Sequence, residues 1–272
     1  MGGALIRQAN VVLIGFGAIG STVARLLQER GGAMRIAAIG LRESSQPRTG
    51  LPVGVPVLTH PSQLASVDAG LVVEVAGSNS VAPWGRAALG AGMNFAVSSV
   101  SAFTDATLLD ELTHLAKAQG VQLIIPPGAL GGIDALSAAA RMGLEKVAHS
   151  IVKPPRAWIG TAAETFCDLS NLHAAQTFYE GTAREAAARF PQNANAALVV
   201  ALAGLGPDHS RVTLTADPEI PGNRHLIVAT GAFGSMTLQF DNAPLPGNPK
   251  SSAMTALSLV RLIENMAVGL VI

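Results

Sequence analysis

Residues 10–31 read NVVLIGFGAIGSTVARLLQERG, and the reading of this stretch decides the fold. An apolar run up to Ile14 has the composition of a buried strand. Gly15, Gly17 and Gly20 follow at G-x-G-x-x-G spacing, with Ala18 and Ile19 between the last two. Val23, Leu26 and Leu27 then recur on one face of a helix. In a strand–turn–helix setting, the first glycine permits the tight turn, the second lets a pyrophosphate approach the backbone, and the third lets helix and strand pack closely. The opening of the helix then offers unpaired N–H groups to the phosphates. Dinucleotide binding through Gly15, Gly17, Ala18, Ile19 and Gly20 is therefore expected.

Working outward, short apolar runs alternate with helical stretches. MRIAAIGL, VPVLT, AGLVVEVAG, NFAVSSVS and VQLIIPPG read as strands, with SVAPWGRAALGAG and DATLLDELTHLAKAQG as crossover helices. Asp105 caps the second of these helices and a glycine stops it. Such alternation predicts an α/β fold, a doubly wound parallel sheet of the Rossmann type. The pattern changes after PPGALGGIDAL. KVAHSIVKPP, RVTLTADP, HLIVATGAF and SMTLQFD read as strands of a mixed or antiparallel sheet, and TAREAAARFPQNANAALVVALAG as helix on both sides of an interruption near Pro191. Residues 1–125 plus 245–272 are expected to form the dinucleotide-binding domain, the closing helix SSAMTALSLVRLIENM returning to it, and residues 126–244 a second α+β catalytic domain.

Composition bounds the partners. The chain has 272 residues, 49% of them hydrophobic and 13% charged, with a net charge of zero. A balanced, sparse charge argues against nucleic acid or an anionic membrane surface as partner and favours a small molecule. One cysteine, Cys167, excludes an internal disulfide and disfavours a thiolate metal site, so no metal is expected. No apolar run reaches the length of a membrane span, and no cleavage pattern follows the first apolar stretch, so a soluble, cytoplasmic, unprocessed protein is expected.

The end of the second strand reports on the nucleotide. An acidic residue there holds the ribose hydroxyls of NAD, whereas an arginine pairs with the 2′-phosphate of NADP. The run is IGLRESS, in which Arg42 precedes Glu43, so use of NADP alongside NAD is expected. Of six histidines, His60 and His114 lie in a connection and a surface-like helix, His173 and His209 in polar stretches, and His149 inside an apolar strand where a core role is expected. His225 follows the turn PGN and opens an apolar strand, a rigid support from which an imidazole can face a cleft. Pattern alone thus reaches a two-domain, nicotinamide-dependent oxidoreductase and leaves its substrate open.

In GFGAIG, SSVSAF, IIPPGALGGIDAL, VKPP, FPQNANAAL, PGNRHLI and NPKSSAMTALS, taken in that order over nearly the full length, the chain resembles the L-aspartate dehydrogenase family. The resemblance implies oxidative deamination of L-aspartate with NAD or NADP, giving iminoaspartate and then oxaloacetate and ammonia, and a link to NAD biosynthesis. It implies His225 as the catalytic acid/base, and Ala129 and Asn195 as cofactor contacts. Those positions suit the roles: a small residue in a glycine-flanked turn admits a nicotinamide ring, and an asparagine offers both donor and acceptor. The two substrate carboxylates call for cations or N–H donors. Lys250, followed by Ser251 and Ser252 at the expected start of the last helix, is a natural anion site, Lys153 and the hydroxyls of SSVS are weaker candidates, and none of the three is counted among the catalytic residues. A homodimer through the second sheet is expected. The alternatives are a related reductase of the homoserine dehydrogenase or dihydrodipicolinate reductase type, and a protein that senses NAD(P) without chemistry.

Overall fold

Parallel strands covered on both faces need continuous apolar runs, and β1 (Asn10–Ile14) supplies one in which Val11, Val12, Leu13 and Ile14 are all buried. The computed structural model describes residues 10–42, 49–191, 195–246 and 248–271. The chain divides into two units, Met1–Pro126 with Ala256–Ile272, and Pro127–Thr255.

In the first unit β1 is followed by α1 (Ala18–Arg30), β2 (Arg35–Gly40), β3 (Val57–Leu58), β4 (Leu71–Glu74), α2 (Ser78–Gly90), β5 (Asn94–Val97), α3 (Ala106–Gln119) and β6 (Leu123–Ile124). The six strands form one sheet in the order β3-β2-β1-β4-β5-β6, parallel throughout. Sequence signals set the helix ends. The Asp105 carboxylate accepts the N–H groups of Thr107 and Leu108 at the start of α3, and Gly120 ends it in the left-handed region at φ +68°. From β1 the chain winds outward through β2 and β3, then returns to β4 on the other side of β1. That reversal opens a crevice beyond the carboxyl ends of β1 and β4, where such sheets bind ligands.

The second unit contains α4 (Ile133–Ala139), β7 (Leu144–Lys153), β8 (Gln176–Thr182), α5 (Ala183–Arg189), α6 (Asn195–Ala203), β9 (Arg211–Ala216), β10 (Asn223–Gly231), β11 (Gly234–Asn242) and a short pair, β12 (Pro244–Leu245) with β13 (Asn248–Ser252). Its sheet is mixed, in the order β11-β10-β7-β9-β8, with β7 and β9 parallel and the other neighbours antiparallel. Strand side chains alternate between faces. One face therefore buries Val147, His149, Ile151 and Lys153 of β7 beside Asn223, His225, Ile227 and Ala229 of β10. The apolar helix α6 packs on β7.

The last helix, α7 (Ala253–Asn265), buries Ala256, Ser258, Leu259, Val260 and Ile263. In the first unit its Glu264 carboxylate accepts two N–H bonds from the Arg30 guanidinium of α1, at 2.5 and 3.1 Å. Among the described residues no helix is long and apolar enough to cross a membrane.

Candidate active site

The turn between β1 and α1 is built as its glycine spacing demands. Gly15 has φ +103°, and a Cβ there would lie 2.8 Å from the Ala76 Cα. A Cβ on Gly20 would strike the carbonyl oxygen of Gly15 in the facing strand end. Gly17 is different: it is exposed, its backbone is extended, and a Cβ would meet none of the described residues within 4 Å. The open space over Gly17 is where a bulky anion can approach the main chain. Among the described residues no side chain caps α1, and its first turn holds no acidic residue. Its N–H groups and positive dipole end are thus left for a ligand, and the loop fits the pyrophosphate of a dinucleotide.

The neighbouring helix is arranged in the opposite way. Glu74, the last residue of β4, is fully buried. Its Oε1 accepts hydrogen bonds from the N–H groups of Ala76 and Gly77 at the start of α2 and from the Ser80 and Ser99 hydroxyls, and its Oε2 accepts the Ser99 N–H. Burial pushes this carboxyl up from its ordinary value and the donors oppose that shift. The N–H groups of Ala76, Gly77 and Ser99 can only donate, whereas the Ser80 hydroxyl also lies 2.6 Å from the Gly77 carbonyl oxygen. This carboxyl thus fills the α2 terminus and ties the β4–α2 turn to the segment after β5. Arg42 lies exposed just past β2; Glu43 falls outside the described residues.

In the second unit His225 is 3% exposed and His149 1%. Register explains why they meet. His225 stands opposite Ile151 and His149 opposite Ile227 in the β7–β10 ladder, so the two rings are diagonal neighbours on the buried face. His149 Nε2 lies 3.1 Å from His225 Nδ1, with the ring planes inclined at 36°. His149 Nδ1 is buried without a hydrogen-bond partner, and His225 Nε2 makes no hydrogen bond among the described residues. Lys153, two positions beyond Ile151 on the same face, holds its ammonium 5.3 Å from the Trp158 ring centroid. Burial lowers the lysine to about 8. Burial and the charge of Lys153 lower His149 to about 3. Burial, His149 and Lys153 together hold His225 well below the ordinary imidazole value. At neutral pH this face thus presents two neutral imidazoles beside one easily deprotonated amine.

Ala129 lies half-buried in the turn between β6 and α4, flanked by Gly128 at φ +64° and, further on, Gly132 at φ +63°. Its carbonyl oxygen accepts a 2.8 Å hydrogen bond from the Asn242 side chain. Asn242 stands opposite Asn223, two residues before His225, so this turn is tied to the end of the sheet that carries the histidine. Asn195 is the first residue of α6 and half-buried. Lys250 does not open the last helix as the sequence suggests: it lies in β13, and α7 begins at Ala253; its side chain is outside the described residues. Sequence reasoning placed His149 in the core, where it is, without seeing that a diagonal pairing carries it to His225. Among the described residues no group of three or more histidine, cysteine, aspartate or glutamate side chains is placed to hold a metal ion.

Comparison with known proteins agrees with both units. A family model described as "Aspartate dehydrogenase, C-terminal" matches residues 134–266, and one described as "Homoserine dehydrogenase, NAD binding domain" matches residues 15–126. The chain is 54% identical to the L-aspartate dehydrogenase of Brucella anthropi, covering 97% of this chain and 98% of that one. It is 41% identical to the L-aspartate dehydrogenase of Pseudomonas aeruginosa, covering 95% and 97%. The crystal structure of aspartate dehydrogenase from Thermotoga maritima matches with a TM-score of 0.77 at 25% identity, over 97% of this chain and 99% of that one. With a glycine loop open to a pyridine nucleotide and a near full-length likeness to these oxidoreductases, the chain belongs to the L-aspartate dehydrogenase family.

Proposed function

We propose that the protein catalyses the oxidative deamination of L-aspartate with NAD or NADP, and that His225 is its acid/base. The observation that carries this reading is a neutral, buried imidazole whose Nδ1 is engaged by His149 and whose Nε2 is left uncommitted. The glycine loop of the first unit holds the pyrophosphate, and Ala129 and Asn195 contact the cofactor. When bound, the nicotinamide would supply the acceptor for the hydride that leaves the substrate Cα, once the α-ammonium has lost a proton to solvent and its nitrogen lone pair can form the C=N bond. Water then attacks the iminium carbon: its oxygen forms the new bond, the C=N π pair moves to nitrogen, and the released proton goes to His225 Nε2. The imidazolium returns that proton to the carbinolamine nitrogen. The C–N bond breaks, ammonia departs, and the hydroxyl proton passes to solvent as the carbonyl of oxaloacetate forms. A depressed proton affinity suits both steps, since the ring is a free base at neutral pH and a ready acid once charged. Lys153 supplies a cation on the same face for a substrate carboxylate. Iminoaspartate formed in this way feeds pyridine-nucleotide biosynthesis.

Purified protein mixed with L-aspartate and either nucleotide is expected to form reduced cofactor and ammonia, with homoserine as the comparison substrate. Absence of reduction with L-aspartate, together with no oxidation of the reduced cofactor by oxaloacetate and ammonia, would overturn the reading.

Arg42, exposed past the end of β2, is proposed to pair with the 2′-phosphate of NADP. Arg42→Ala is expected to weaken NADP binding by about tenfold, the loss of one charge-assisted contact, and to leave NAD binding nearly unchanged. Equal losses for the two nucleotides in a binding titration would remove the assignment. The protein is further proposed to be a homodimer joined through the second sheet, whose face opposite His225 carries Val152, Leu226 and Val228 half-buried at alternate positions. Sedimentation velocity is expected to give twice the chain mass; a monomer at micromolar concentration would exclude the dimer.

A further inference from the structure

Taking His225 as the acid/base of the proposed reaction, we propose that His149 is its positioning residue, holding the His225 ring through Nδ1 so that Nε2 is the nitrogen that exchanges protons with the substrate. The two rings approach nitrogen to nitrogen at 3.1 Å, and neither has another hydrogen-bond partner among the described residues. Between neutral rings that bridge holds one hydrogen, given by one imidazole to the lone pair of the other. When His225 takes a proton at Nε2, both of its nitrogens carry hydrogen, so the bridge runs from its Nδ1–H to the bare Nε2 of His149. His149 must stay neutral for this to hold, and its burial beside Lys153 keeps it so.

Among the described residues, the elements packed against the two rings bring no carboxylate to them. On the buried face β9 presents Val212, Leu214 and Ala216, and β11 presents Leu238 and Phe240 opposite Ile227 and His225. The α6 sequence NAALVVALA has no ionisable side chain, and Asp134 of α4 is exposed. Tyr179 of β8 turns its hydroxyl to Thr182 and Glu185. Lys153 is the charged group that acts on both rings. A carboxylate in the place of His149 would orient His225 equally well but would raise its proton affinity. A neutral imidazole orients the ring and leaves that affinity low.

The test uses full-length His149→Leu, His149→Gln, His149→Glu and His225→Asn variants. His149→Leu is expected to lower kcat by about 10- to 100-fold, the range seen when a partner that orients a working side chain is lost. KM for L-aspartate and nucleotide affinity stay near wild type. His149→Gln, whose amide reaches the position of Nε2, recovers most of that loss. His149→Glu shifts the acidic limb of the kcat/KM profile to higher pH, because a carboxylate now faces Nδ1. Wild-type kcat in His149→Leu, equal losses in the leucine and glutamine variants, or an unmoved limb in His149→Glu would each overturn the role. If His149→Leu fails to fold, the glutamine and glutamate variants still decide. His225→Asn separates the two readings: wild-type turnover there sinks the acid/base assignment itself, whereas an inactive His225→Asn beside an active His149→Leu sinks only the role of His149.

Discussion

Replacing His225 with asparagine lowers turnover of L-aspartate by about 100- to 10,000-fold, the usual span for loss of a positioned acid/base, while fold and cofactor binding persist. Asparagine is polar and small enough for the site, and its amide can still meet His149 Nε2, so no new unpaired buried group is forced on β10. What it lacks is a ring nitrogen that can accept a proton and return it. The same assignment fixes the pH profile. The base must be unprotonated in the free enzyme, and burial with the neighbouring His149 and Lys153 holds it well below 6.5. The acidic limb of kcat/KM therefore lies below pH 6.5 and disappears with the residual activity of the variant. Steady-state rates across pH, with thermal unfolding and nucleotide titration as controls, measure all of this. A variant that folds, binds nucleotide and keeps near wild-type turnover would remove His225 from the chemistry.

The second large effect is on stability in acid. An unfolded chain protonates its histidines near 6.5, whereas His149 in the folded protein resists until about 3. Below pH 6.5 the unfolded state therefore binds the extra proton first, and stability falls as pH falls, the loss ending near pH 3. At about 1.4 kcal/mol per pH unit, His149 alone removes about 3 kcal/mol between pH 6.5 and pH 4. His225, shifted in the same direction, adds to it. Lys153 acts at the other end of the scale: lowered to about 8 from 10.5, it makes the protein more stable as pH rises from 8 toward 10.5. Urea unfolding at pH 7 and pH 4 checks the acid limb. Surface carboxylates also lose their stabilising contacts in acid, Asp168 among them. The decisive quantity is thus the difference in pH dependence between wild type and His149→Gln: a shallower acid slope in the variant is expected, and parallel slopes would refute it.

The parallel domain was legible because its signals are local. Glycine spacing, continuous apolar strands, the Asp105 cap and the Gly120 stop all act within a few residues of themselves, and the structure places each as read. Less was legible where structure depends on distant partners. The strand β8 was not anticipated, since TFYEGT alternates weakly and is completed by pairing with β9. NPKSS reads as a helix start, yet it pairs with Pro244–Leu245 as β13. Glu74 stood in plain view inside AGLVVEVAG, and a carboxylate in an apolar run was the available clue that turn N–H groups and serines gather around it. His149 shows the general limit: its burial follows from one strand, but its partner follows from the register of β7 against β10, which a single sequence does not contain.

The assignment of residues 256–272 to the first unit also bears on how the protein is made. The parallel sheet is complete when residue 124 has left the ribosome, but α7, which buries Leu259, Val260 and Ile263 and gives Glu264 to Arg30, follows only after the whole second unit. At about 5–20 residues per second, residues 127–255 delay it by on the order of ten seconds. Throughout that interval the nascent nucleotide domain carries an uncovered flank, and a chain stalled before residue 256 would be a natural client for a chaperone.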